Sequence, residues 1–254
     1  MVLVNIYGKR ELSSMREAGK VVAACHAALV KFVQPGVTTL AIDAIVEDFL
    51  TRHGTVPAQK GYHGYPFASC TSVNDEICHG FPTTYCLREG DILTIDMVAI
   101  YQGMHADSAW SYAVGEISSE AQRLLAVTQQ ALFVGIAQAY AGQRLSDIGA
   151  AIQQYAEGEG CAVIREFTGH GVGREMHETP PEILHFALPA YPGQALRLKP
   201  GMAFTIEPML AVGHYAVIHD DNEWTARTAD GSLCAQYEHT IVLTDNGPEI
   251  VTVL

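Results

Sequence analysis

Apolar residues recur every three or four positions across "REAGKVVAACHAALVKFVQPG" (residues 16–36), which predicts an amphipathic helix closed by Pro35-Gly36. "TTLAIDAIVEDFLTRHG" (38–54) has the same pattern, with Thr38 or Thr39 available as N-cap and Gly54 just past the end. Between Tyr62 and Cys86 the periodicity gives way to Gly, Pro, Ser and Thr, the composition of loops and short strands. From Asp91 to Val114 the pattern turns to strands. The order then recurs. "SEAQRLLAVTQQALFVGIAQAYAG" (119–142) predicts a long helix, and "LSDIGAAIQQYAEGEG" (145–160) a shorter one ending in glycines. Setting Gly36 against Gly142 aligns Ile42 with Ile148, Val46 with Ile152 and Phe49 with Tyr155, core positions of one spacing in both helices. Helix, helix, strands, occurring twice, implies two similar α+β halves, roughly 1–118 and 119–254, packed face to face as a single compact domain.

Composition narrows the choices. Hydrophobic residues make up 48% of the 254 and charged ones 17%, enough for a large core and against disorder. A formal net charge of -13 is a poor match for nucleic acid, so no direct nucleic-acid binding is expected. No apolar segment reaches membrane-spanning length, and the opening "MVLVNIYGKR" lacks the pattern of an export signal. Six cysteines without a CxxC pair read as reduced, mostly buried thiols of a cytoplasmic protein.

Within the strand region, "TIDMVAIYQGMHADSAW" (94–110) places Asp96 and Asp107 in apolar runs on either side of a Gln102-Gly103 turn. That turn sets Ala106 opposite Ala99 and Asp107 opposite Val98, which leaves Asp96 a diagonal neighbour of Asp107 on the same face. Buried carboxylates at roughly 7–8 Å repel each other and lose hydration unless a cation intervenes. Further hard ligands lie in comparable settings: His170 in "FTGHGVG", Glu207 in "GMAFTIEPML" and Glu238 in "AQYEHTIVLT". Any one of these acids alone would more often face water from a turn or an edge strand. Their recurrence in apolar strand runs is what points to a metal. Oxygen-rich ligands with one imidazole suit manganese, iron, cobalt or zinc. Charge counting favours two divalent ions, although the pattern leaves the number open.

At these residues the chain resembles the methionine aminopeptidases, specifically the short bacterial type I form. The resemblance runs from "MREAG" through "KGYHGYPFASCTSVNDEICHG", "IDMVAIYQGMHADSAW" and "TGHGVGREMHETP" to "LKPGMAFTIEPML" and "AQYEHTIVLT". It implies the pita-bread fold, a pseudo-twofold pair of α+β halves with a central antiparallel sheet flanked by helices. It implies that Asp96, Asp107, His170, Glu207 and Glu238 hold two divalent ions, with Asp107 and Glu238 bridging. It implies that His79 and His177 face the substrate, and that Tyr62, Tyr65, Cys70, Met176 and Trp224 enclose a methionine side chain. The expected reaction is removal of an N-terminal methionine ahead of a small second residue: a metal-bridging hydroxide attacks the methionyl carbonyl and Glu207 shuttles the proton. Substrates would be newly made proteins and peptides, met by a monomer in transient association with the ribosome. Met176 stands where the family usually has phenylalanine, and "HFALPAYPGQALRLKPG" looks like a lengthened surface loop.

Other chemistries fit less well. "HETPPEILH" begins like a zinc-protease HExxH, but Pro180-Pro181 denies the helix and no histidine holds the fifth position. No GxSxG elbow is present, and the glycines around His170 do not spell GxGxxG. Prolidases and Xaa-Pro aminopeptidases look similar at the ligands but usually carry a large extra N-terminal domain. A binding protein on the same fold would be expected to have lost ligands. His53, His63, His105, His185, His214 and His219 take no assigned role, and His239 is expected on the strand face opposite Glu238.

Overall fold

The computed structural model describes residues 4–188 and 191–254. Residues 1–3, where the search for an export signal began, and Pro189-Ala190, inside the connection read as a lengthened loop, lie outside them. Helix α1 (Lys9–Leu29) starts about two turns earlier than its apolar periodicity indicated. The added stretch is polar. Its few apolar residues, Leu12 and Met15, pack against Tyr7 and against Met104, Val242 and Val251, the last three too remote in sequence for a local pattern to register. Helix α2 (Thr39–Arg52) starts as expected, with the Thr38 hydroxyl accepting from the Ala41 N–H at 3.1 Å.

Short strands follow: β1 (Val56–Pro57), β2 (Cys70–Val73) and β3 (Glu76–Cys78). The long pair β4 (Ile92–Tyr101) and β5 (Met104–Ala113) is closed by Gln102 (φ 49°) and Gly103 (φ 79°), the left-handed pair of a two-residue hairpin turn. The register is the one the turn demands, Val98 opposite Asp107 and Ala99 opposite Ala106. The second half has α3 (Ser119–Ile136), α4 (Leu145–Gly158), β6 (Ala162–Val163), β7 (Gly169–Gly171), β8 (Glu178–Ile183), β9 (Ala203–Ile206) and β10 (Met209–Ala211). The chain ends with β11 (Val217–His219), β12 (Ala226–Thr228), β13 (Cys234–Gln236), β14 (His239–Thr244) and β15 (Gly247–Ile250).

Helices α2 and α4 bury the same positions. Thr39, Ile42, Asp43, Val46 and Leu50 correspond to Leu145, Ile148, Gly149, Ile152 and Ala156, each 106 residues on. Around α2 the core gathers Val22, Leu29, Leu93, Ile95 and Met97; around α4 it gathers Leu124, Leu132, Phe204, Ile206 and Ile241. Each such side chain, fully buried, contributes roughly 1.5–3 kcal/mol. Phe49 and Tyr155, the third aligned pair, are half-buried at the edges of these two clusters.

Every strand pairing among the described residues is antiparallel. Between the halves, β5 lies alongside β13 and β14, and hydroxyls replace most of the backbone ladder. The Asp107 N–H donates to Thr240 Oγ1, which donates in turn to the Asp107 carbonyl, both at 2.9 Å. Ser108 Oγ donates to the Glu238 carbonyl at 2.7 Å, and the Glu238 N–H to the Ala109 carbonyl at 2.8 Å. This seam brings Asp107 and Glu238, one from each half, to a common centre.

Candidate metal centre and active site

All twelve residues singled out in the sequence line one cavity of about 290 Å³. Asp96 and Asp107 descend from the β4–β5 hairpin as diagonal neighbours. Glu207 and Glu238 sit at breaks, Glu207 between β9 and β10 and Glu238 between β13 and β14, rather than inside continuous strands as expected. Ile206 pairs with His239 and Met209 with Gln236, so the intervening Glu207 and Glu238 face each other in one unbroken register. His170 is the middle residue of β7. A Cβ on Gly169 would lie 2.5 Å from the Thr205 carbonyl oxygen, and one on Gly171 2.5 Å from that of Glu178, so only glycines let β7 enter here.

His170 Nδ1 lies 3.0 Å from the Gly171 carbonyl oxygen and donates to it, which leaves the Nε2 lone pair bare. That nitrogen stands 3.7 Å from Asp107 Oδ2 and 3.6 Å from Glu207 Oε1, too far for hydrogen bonds. Ligand atoms of Asp107, His170 and Glu238 all lie within 4.8 Å of one another. Asp107 Oδ1 and Glu238 Oε1 are buried with no hydrogen-bond partner among the described residues. Orphaned oxygens and a bare imidazole nitrogen at these separations fit donors to a shared divalent cation, whose bonds run about 2.0–2.2 Å.

The electrostatics agree. Burial pushes Asp96 up to about 7 and Glu207 up to about 8. Asp107 and Glu238 are driven well above the carboxylate range by burial, then by their acidic neighbours. His170 is pushed down to about 3, chiefly by burial. A group of acids that resists ionisation until a cation arrives, beside an imidazole that stays neutral, is suited to a divalent metal.

Polar contacts hold these side chains in place. Thr205 Oγ1 accepts from the His170 N–H at 3.0 Å and donates to Glu207 Oε1 at 2.7 Å, so one hydroxyl links two candidate ligands. Gln59 Nε2 donates to Asp96 Oδ1 at 3.1 Å, and the Glu207 N–H donates to His185 Nε2 at 3.1 Å. His105, on β5, lies 2.9 Å through Nδ1 from the Gly173 carbonyl oxygen, just ahead of the His177 loop. His239 points away from Glu238, its Nδ1 2.9 Å from Thr252 Oγ1, as alternation required.

Aromatic rings, Cys70, Met176 and Met209 form one wall of the cavity, and Glu166, Thr168, Thr179 and Glu182 also line it. The Tyr65 ring meets Trp224 edge-on at 5.0 Å, and His79 meets Phe167 at 5.6 Å. Asp43 on α2 accepts from the Ala68 and Ser69 N–H groups at 3.0 and 2.8 Å, which ties the loop ahead of Cys70 to the helix. His79 is held neutral, pushed down to about 4 by desolvation. Val98, Phe167, Met209 and Gln59, like those two glutamates and two threonines, line the cavity and were not anticipated. Val98 and Met209 lie two residues beyond Asp96 and Glu207, so alternation alone could have found them. Gln59 and Phe167 carry no such signal. "HETPP" contributes to β8, which agrees with the rejection of a zinc-binding helix there.

The profile of metallopeptidase family M24 matches residues 13–245. The chain belongs to metallopeptidase family M24. Within that family it is similar to methionine aminopeptidase 1 of Bacillus subtilis, 46% identical over 243 residues that cover 96% of each chain. The crystal structure of a methionine aminopeptidase from Thermotoga maritima superposes with a TM-score of 0.95 at 40% identity, covering 99% of this chain and 100% of that one. A prolidase from Pyrococcus furiosus shares the fold alone, with a TM-score of 0.75 at 19% identity over 98% of this chain and 65% of its own. The fold is therefore the pita bread of the M24 family, and the hydrolase reading of the sequence stands.

Proposed function

We propose that the chain hydrolyses the peptide bond after an N-terminal methionine, preferring a small second residue. The observation that carries this reading is a single cavity in which an apolar wall of Tyr65, Trp224, Phe167 and Met176 ends directly on the Asp96, Asp107, His170, Glu207 and Glu238 group. A thioether suits such walls, because rings and sulfur give contact without asking for hydrogen bonds.

Asp96, Asp107, His170, Glu207 and Glu238 would hold two divalent ions; manganese, iron, cobalt and zinc all suit this donor set. When bound, such ions lower the pKa of water and polarise the scissile carbonyl. A substrate's free α-amine, which an internal peptide lacks, would be held at this donor set, and this restricts cleavage to the first residue. Glu207, whose Oε1 accepts from the Thr205 hydroxyl, can take a proton from water and return it to the leaving amine. His177 donates towards the oxygen that gains charge, and His79 holds the following amide in register.

On this reading residues 1–254 act as one catalytic domain and as a monomer. The substrates are newly made chains in the cytoplasm, met in transient contact with the ribosome without direct nucleic-acid binding. No helix among the described residues is long and apolar enough to cross a membrane. Assays of Met-Ala-Ser and Ala-Pro-type peptides, with and without chelator, test the reading. Chelator-sensitive release of methionine is expected, and reconstitution with each of the four metals in turn identifies the working ion. Preferential cleavage of the Ala-Pro-type peptide would replace the reading with a proline-directed one, and binding without cleavage would make the chain a non-enzymatic relative.

A further inference from the structure

His177 and Tyr62 meet across the mouth of the cavity, one from each half of the chain. His177 Nδ1 lies 2.8 Å from the Tyr62 hydroxyl, with the two rings 5.3 Å apart and tilted. The Tyr62 loop is stiff where this contact is made. Gly61 and Gly64 take left-handed backbone angles, the Gly61 N–H donates to the Tyr65 carbonyl at 2.7 Å, and the Tyr65 N–H donates to the Tyr62 carbonyl at 2.8 Å. Three residues before Tyr62, Gln59 grips Asp96, so one short segment touches both the acidic centre and His177.

A neutral imidazole has one N–H and one bare nitrogen, and the partner on one nitrogen decides the state of the other. Partial burial raises the Tyr62 phenol above its ordinary value, so its oxygen keeps its proton at neutral pH. Among the described residues that hydroxyl has no acceptor other than His177 Nδ1. Were the bond reversed, with Nδ1–H donating, the phenol proton would turn to solvent and Nε2 would offer only a lone pair. In the direction Tyr62 O–H to Nδ1, Nε2 carries the remaining N–H, free for an acceptor that enters the cavity.

We propose that Tyr62 is a positioning residue: its hydroxyl fixes the tautomer of His177 so that an Nε2–H donor is presented to the substrate carbonyl in the cavity. Tyr62 thereby does more than form a wall of the methionine pocket. In the other tautomer Nε2 would offer a lone pair, which repels an oxygen gaining negative charge. The inference rests on the proposed role of His177 in peptide hydrolysis, and its direct readout needs no turnover.

The test uses the metal-loaded enzyme with nitrogen-15 in the histidine rings. Wild-type His177 should show a protonated Nε2 and a bare Nδ1 in proton–nitrogen correlation spectra. In Tyr62→Phe, which keeps the ring, the His177 signals should move towards a mixture of the two tautomers. On Met-Ala-Ser, Tyr62→Phe should lower kcat about tenfold, the scale of one directed hydrogen bond, with KM changed less than about twofold. In a His177→Ala background the same substitution should cost nothing further. A wild-type spectrum with the proton on Nδ1 overturns the inference, and so does an equal loss from Tyr62→Phe with and without His177. If wild type releases no methionine while the spectrum shows protonated Nε2, the functional reading fails and the tautomer assignment survives.

Discussion

The Tyr7 hydroxyl lies against both carboxylate oxygens of Glu178, the residue directly after His177, and donates its proton between them. Asn5 Nδ2 donates to Glu178 Oε2 at 2.7 Å and the Arg174 N–H to Oε1 at 3.0 Å, while the Arg174 side chain pairs with Glu11. The segment ahead of α1 thus clamps the loop that carries Met176 and His177. Tyr7→Phe should lower stability by about 1.5–3 kcal/mol, the worth of a hydrogen bond to a charged group. Because the clamp touches no metal ligand, bound-metal stoichiometry should not change. Chemical denaturation and elemental analysis check the two halves of this statement; loss of metal from the variant would refute it.

Thr205 makes a different prediction. Its single hydroxyl accepts from the His170 backbone and donates to the Glu207 carboxylate. Valine keeps the volume and removes both bonds. Thr205→Val should weaken metal binding by about 10–100-fold, the usual effect of losing an outer partner of a ligand. Isothermal titration with manganese reads this directly, and an unchanged affinity would show that β7 and β9 hold the two ligands without help.

How much of this was legible in the sequence depends on how local each cause is. The Asp96–Asp107 relationship could be read because Gln102-Gly103 is a two-residue turn, and such a turn sets the register of everything around it. The facing pair Glu207 and Glu238 could not: their strands are 31 positions apart at that point and both residues fall at breaks in the ladders. The start of α1 was missed because Leu12 and Met15 pack against residues about ninety and more than two hundred positions away (Met104, Val242, Val251). Gln59 on Asp96, His185 on the Glu207 backbone and His105 on Gly173 are likewise long-range contacts made by residues with no local pattern. Residues that hold the ligands thus stayed hidden, although the proposed ligands themselves stood out as acids in apolar runs.

Metal-free stability should depend on pH in a definite sense. Asp96 and Glu207 have folded-state values raised to about 7 and about 8, so their contribution is full below the ordinary carboxylate range and is lost as pH rises through those values. Buried His26, His185 and His239 are pushed down to about 3, 3 and 4, and their contribution is lost as pH falls below the ordinary histidine value of 6.5. Between those limits, from about pH 6.5 to 8, only the acids change state. The metal-free protein should therefore lose on the order of 2 kcal/mol across that window. Saturating manganese should flatten or invert the slope, since the cation favours the ionised acids. Thermal melts in chelator and in manganese test both arms; a metal-free Tm that holds steady or climbs over this window would sink the prediction.

The same repulsion makes one proposed ligand a burden when no metal is present. Asp107 is 5% exposed, has an oxygen without a hydrogen-bond partner, and is crowded by Asp96 and Glu207. Asparagine has nearly the same shape and no charge to force on the site as pH rises. At pH 8 and above, Asp107→Asn should melt higher than wild type in chelator, by a few degrees for about 1 kcal/mol in a chain of this size. In manganese the order should reverse, because the variant lacks a charged oxygen to share with the cation, and peptide cleavage should fall at least about a hundredfold. A paired set of melts, each protein with and without metal, gives the result in one experiment. If the variant melts lower than wild type in both conditions, Asp107 is a structural residue and the proposed centre loses the ligand that joins its two halves.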